Sequence, residues 1–114
     1  MSVDDYFSTG PAHERPVFEA VMAGLADLVG PIHVEPVSVG IFLKRSRSFA
    51  QLRPMTRWVA VSFSLERTLR SGRISRKVIE HGRGRHHVVN VRTPDEVDDE
   101  LLAWLAEAYD ASPE

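Results

Sequence analysis

Apolar residues recur at three- and four-residue spacing over positions 13–29, where Val17, Phe18, Val21, Met22, Leu25 and Leu28 share one side of a helix. Gly30-Pro31 ends the pattern. Pro16 fits only in the first turn, where no intrahelical donor is missed, so the helix begins no earlier than about Ala12. Glu14, Glu19 and Asp27 then belong to a solvated side. Ahead of this helix, residues 1–10 are loop-like apart from Tyr6 and Phe7, an aromatic pair expected to pin the arm onto the core.

Beyond the Gly-Pro break the period shortens to two. Ile32 to Val37 reads as a strand, and Pro36, which lacks a ladder donor, puts it at an edge or a strand end. Val39 to Leu43 and Phe49 to Leu52 follow as short strands around the polar turn Lys44 to Ser48. The clearest strand is Arg57 to Leu65, with Val59, Val61, Phe63 and Leu65 on one face and Trp58, Ala60, Ser62 and Ser64 on the other. Ile74 to His81 and His86 to Arg92 are expected to form a hairpin around Gly82-Arg83-Gly84-Arg85, because glycines supply the positive φ that such turns need.

Thr93-Pro94-Asp95-Glu96 has the form of a capping box with proline at the first helical position, and predicts the start of a last helix. Val97, Leu101, Trp104, Leu105, Ala108 and Tyr109 make its buried stripe, and the acids of its first turn suit the positive end of the helix dipole. The order is helix, five or six mostly antiparallel strands, helix. Links this short leave no room for parallel crossovers, so the fold class is α+β with both helices on one face of the sheet. At 114 residues the chain is a single domain, 1–114, with its core at about 5–110.

Charge divides along the same lines. Lys44 to Arg92 holds thirteen of the fourteen basic residues and only two of the sixteen acids, Glu66 and Glu80, although the whole chain is at −2. There is no cysteine, which excludes thiolate zinc sites, iron–sulfur clusters and cysteine catalysis. No apolar run approaches the length of a membrane span, and the expectation is a soluble cytoplasmic protein with no membrane contact.

Among candidate sites the arginine-rich set is the strongest. Lys44, Arg45, Arg47, Arg53 and Arg57 surround the second to fourth strands, and Arg73, Arg76, Lys77, Arg83, Arg85 and Arg92 surround the last hairpin. Arginine's planar fork suits phosphate and carboxylate, and Trp58 on the outer face would add a stacking platform. The expected function is therefore non-enzymatic binding of an anionic partner, nucleic acid among the candidates, with no cofactor. A protein partner or homodimer formed through the outer face around Trp58 is the alternative. Edge charges that prevent aggregation, or that pair with the acidic helices, would explain the same residues without any ligand.

Two smaller constellations complete the chemistry. His81 and His86 flank the four-residue hairpin link and would be directly opposed, but two histidines without a third ligand make a weak metal site. Glu80 and His87 would share a face as an acid–base pair, yet no nucleophile motif accompanies them. An ion pair with a neighbouring arginine accounts for Glu80 equally well.

Tyr6-Phe7 with Gly10, Phe18, Gly30-Pro31, Phe49-Ala50, Val61 to Leu65, and Val97-Asp98 followed by Leu101, Trp104-Leu105 and Ala108-Tyr109 resemble the bacterial domain of unknown function 5655, nearly from end to end. Members of that family have been labelled predicted transport proteins, and the domain also occurs beside nuclease or restriction-type domains. The resemblance implies a binding or accessory role. It also implies that a histidine near His87 belongs to the family pattern, and His87 joins the candidate binding residues on that ground.

Overall fold

The computed structural model describes residues 2–75 and 77–112, with side chains for all of these except His81. Its first element is a short helix, α1 (Val3–Phe7), within the arm expected to be loop. Ser2 and Asp5 cap it reciprocally, Asp5 N–H donating to the Ser2 hydroxyl at 3.0 Å. The aromatic pair is pinned as expected: Phe7 packs on Phe18 at 5.4 Å between ring centroids, and Tyr6 meets Phe7 edge-on.

Helix α2 (Glu14–Ala26) keeps Pro16 in its first turn and buries Val17, Phe18, Val21 and Leu25. Two expectations fail here. Glu14 is buried rather than solvated, because α1 folds back and the Tyr6 hydroxyl donates to its Oε2. Leu28, assigned to the buried stripe, is 55% exposed, since the helix stops at Ala26 before that position can turn inward.

Among the described residues the sheet has six strands, β1 (His33–Val37), β2 (Gly40–Lys44), β3 (Ser48–Pro54), β4 (Val59–Leu65), β5 (Ile79–His81) and β6 (Gly84–Val91). Their order is β1-β2-β3-β4-β6-β5, and every neighbouring pair is antiparallel. At Gly40 the β1–β2 turn meets β3 so closely that a Cβ would stand 2.5 Å from the Leu52 carbonyl oxygen, which leaves no room for a side chain. A register shift between Leu43 and Lys44 breaks the β2–β3 alternation, so that Phe49 and Ala50 are both buried.

The last hairpin is tighter than its sequence suggests. His81 pairs with Gly84, so the turn is Gly82-Arg83 alone, with Gly82 at φ 61°. Ile74, expected inside the strand, makes an isolated bridge to Val89. The start of the last helix also moves. Pro94–Glu96 is a separate 3₁₀ turn whose Glu96 carboxylate accepts from Arg92 N–H, and α3 (Asp99–Ala111) is capped by Asp98, which accepts from Leu101 N–H at 3.0 Å.

Helices α2 and α3 cover one face of the sheet. Leu101, Trp104, Leu105, Ala108 and Tyr109 from α3 join the α2 stripe over Ile41, Leu52, Val61, Phe63 and Val89 in one core. Phe63 lies at its centre, stacked between Trp104 at 6.2 Å and His87 at 5.5 Å. Among the described residues no helix is long and apolar enough to cross a membrane.

Candidate functional site

Because the helices occupy one face, strand alternation decides which side chains remain for a partner. Val59, Val61, Phe63 and Leu65 face the helices, so Ala60, Ser62 and Ser64 face outward. The ladders carry this parity to Gln51 and Arg53, paired with Ser62 and Ala60, and to His86, Val88 and Asn90 on β6. A recess of about 250 Å³ opens there, lined by Gln51, Arg53, Met55, Ser62 and His86. A second one of about 150 Å³ adjoins it, sharing Gln51, Ser62 and His86 and reaching Phe42 and Ser64. Within this trough the Ser62 hydroxyl donates to the Gln51 carbonyl at 3.5 Å.

Charge separates the central strands from the helices, although Arg85, opposite Leu65, points to the helix side. Strands β2, β3, β4 and β6 contain Lys44, Arg53 and Arg85 and no carboxylate, whereas α1, α2 and α3 contain eight carboxylates and a single base, Arg15. The two acids in strands are already engaged. Glu35 on β1 holds the Lys44 ammonium at 2.8 Å, which keeps its carboxyl below the usual range, and Glu80 on β5 lies 3.6 Å from Arg85.

The basic candidates do not form one surface. Arg53 and Arg57 sit at the β3–β4 end of the sheet, exposed and without an ion pair among the described residues. Trp58 belongs to the same turn, half-buried just before β4 begins. Its carbonyl accepts from Met55 N–H at 2.8 Å and from His13 Nε2–H at 3.2 Å, so the turn is tied to the start of α2. Arg47 lies at the opposite end, beside Arg83 and a separate recess of about 400 Å³ floored by Phe49 and Leu65. Lys77 is exposed in the segment before β5.

Others are spent within the fold. Arg45 donates to the Tyr109 carbonyl at 3.2 Å and lies over the Tyr109 ring at 4.6 Å. Arg73 is held by Asp98 at 2.7 Å, Glu100 at 3.1 Å and the Glu96 carbonyl at 2.9 Å, across the start of α3. Arg76 lies outside the described residues.

His87 does not belong to any outer surface. It alternates to the helix side, where it is 1% exposed, stacks on Phe63, and accepts the Leu69 N–H on Nε2 at 3.0 Å. Accepting through Nε2 requires a neutral ring, and burial lowers the pKa accordingly. Its Nδ1 has no hydrogen-bond partner among the described residues. Glu80 and His87 therefore do not converge: one is exposed and paired with Arg85, the other is core. His81 and His86 are not opposed either, since the shorter turn sets His86 against Ile79, and the side chain of His81 lies outside the described residues. Among the described residues no three His, Asp or Glu side chains gather as metal ligands.

Residues 3–112 match the model of a domain of unknown function, DUF5655. The chain belongs to that family. No curated protein and no solved structure matches it. In this DUF5655 domain sequence reasoning placed Ser62 on the outer face without giving it a role, weighed His86 only as a metal ligand, and passed over Gln51. The signal for Gln51 was available, since alternation from Leu52 puts it on the face opposite the core. Placing His86 in the recess needed the β4–β6 register, which sets it opposite Ser64.

The buried Glu14 was missed for another reason. Burial raises its carboxyl pKa and that of the Tyr6 phenol, and the pair pins α1 to α2 rather than facing a recess on the sheet.

Proposed function

We propose that this domain is a non-enzymatic binding module whose outer sheet face takes an anionic partner, with a single-stranded nucleic acid as the leading form. The observation that carries the reading is the charge division: four acid-free central strands on one side, and helices rich in carboxylates on the other. A polyanion is repelled by the helix side and meets the outer face at Arg53 and Arg57, whose guanidinium groups are exposed and without an ion pair among the described residues. Gln51, Ser62 and His86 in the adjoining recess supply polar hydrogen-bonding groups beside that charge.

The surface is small and the whole chain near neutral, so binding is modest and depends steeply on salt. Its setting is a bacterial cytoplasm, where a cysteine-free domain needs no disulfide. Homodimerisation through the same face is less well supported, because Gln51, Arg53, Ser62 and Asn90 interrupt any continuous apolar area there.

Filter binding of a single-stranded oligonucleotide tests the reading. Replacing both Arg53 and Arg57 by Ala lowers affinity and flattens the slope of log K against log salt by roughly 1.4, about 0.7 for each phosphate no longer neutralised. Arg67→Ala, which removes a cation already bound to Glu107 on the helix side, leaves the slope in place. No retention of the oligonucleotide by the unmodified protein at low salt, or an equal loss in the Arg67 variant, refutes it.

A further inference from the structure

The helix side carries a second feature, independent of the sheet face. Leu28, just past the end of α2, is 55% exposed and forms one wall of a groove of about 470 Å³ with Leu102, Ala103 and Ala106 of α3. Leu102 is fixed over Gly24: its Cδ1 lies 2.5 Å from where a Cβ on that glycine would stand, so the glycine makes room for the leucine. Carboxylates rim the groove, Asp99 at one end and Asp110 at the other, with no basic side chain in its lining. Glu107, also on the rim, is shared with Arg67.

Asp99 suits the first turn of α3, but two acids at the other helix ends run against helix electrostatics. Asp27 is the C-cap of α2 and Asp110 lies in the last turn of α3, both at the negative end of a helix dipole, and neither helix has a basic residue in its last turn. Arg45 reaches one carbonyl of the last α3 turn from outside. Two helix ends and two carboxylates thus add their negative potential next to exposed apolar surface. A cationic group brought there relieves repulsion that the domain bears alone.

The geometry points to this groove as the docking site for a basic amphipathic helix of a protein partner, with apolar side chains at three- and four-residue spacing set against Leu28, Leu102 and Ala106, and lysines or arginines against Asp99 and Asp110. Ala103 and Ala106 are small, so the floor lies low between Leu28 and Leu102 and lets the backbone of a partner helix come close. Charge complementarity decides for a basic segment over an acidic one, and the apolar wall decides for an amphipathic helix over a free polyamine.

A fluorescein-labelled synthetic helix of leucine and lysine at this spacing is the probe, read by anisotropy against the full chain. Saturable binding is expected, with at least a tenfold loss on scrambling the peptide so that its apolar face is dispersed. Leu28→Ser, which removes the apolar wall without adding charge, and Asp110→Lys each weaken binding by a similar factor with unchanged circular dichroism, whereas Arg53→Ala on the other face has no effect. Equal binding of the scrambled peptide, indifference to both groove variants, or sedimentation showing the groove covered by a second copy of the chain overturns the proposal.

Discussion

The two faces of the sheet are built from the same strands yet have opposite chemistry. Toward the helices, Val61, Phe63 and Val89 sit in a closed apolar layer, and the imidazole admitted there, His87, is held neutral by its acceptor bond to Leu69. Toward solvent, Ser62, His86 and Arg53 line an open recess, each one residue along its strand from a buried partner. Alternation alone makes the inner face a stability device and leaves the outer face free of that duty. Outer side chains that stay exposed or half-buried, such as Ser62, Ser64 and Asn90, can therefore be exchanged with little risk to folding, whereas Ala60 and Val88 on the same face are buried.

The largest test of this contrast uses adjacent positions. Phe63→Ala removes the ring stacked between Trp104 and His87 and should cost about 3–5 kcal/mol in urea unfolding, whereas Ser62→Ala should change stability by less than about 0.5 kcal/mol. Comparable losses at the two sites would show that the outer face is covered in solution.

A smaller effect comes from His87. Its folded pKa lies below the ordinary 6.5, so between the two values the unfolded chain binds a proton that the native state refuses. Stability contributed by the neutral ring is complete above 6.5 and declines by up to about 1.4 kcal/mol per pH unit as pH falls through that window. Glu14 acts in the opposite sense: its raised pKa makes stability fall as pH rises above the ordinary 4.5 toward the folded value. The two windows oppose each other, so the measurement is the difference between the natural chain and His87→Gln, in which the amide oxygen can still accept from Leu69. That difference should grow against the natural chain on acidification; a flat difference would mean the ring is protonated and the face less dry than its burial indicates.

The smallest effect concerns the helix side. Asp27→Asn and Asp110→Asn each relieve a carboxylate at the wrong end of a helix and should raise the melting temperature by about 2–5 °C at low salt, fading as salt is added. Unchanged melting would mean that the helix ends are compensated by other charges.

Much of this was legible in the residues. The Val59 to Leu65 alternation, the α2 stripe and the α3 stripe all reappear, because period-two and helical patterns report burial directly. The candidate site was less legible. Thr93 looked like a cap, but Val97 takes a non-helical conformation and Asp98 does the capping, a choice made by how α3 docks. Arg45 and Arg73 looked like surface cations until Tyr109, Asp98 and Glu100 were brought beside them from distant parts of the chain.

Sequence alone determined the kinds and order of the main elements, though not α1, and the gathering of positive charge in the middle of the chain, since periodicity and local charge are properties of neighbours. Only the tertiary structure decided which cations stay unpaired, that Leu28 is left outside, and that His87 turns inward while His86 lines the recess. The physical reason is that each outcome depends on residues distant in sequence: the β4–β6 register sets His87 opposite buried Phe63 and His86 opposite Ser64, and α3 brings Tyr109, Asp98 and Glu100 to the arginines, which no local pattern carries.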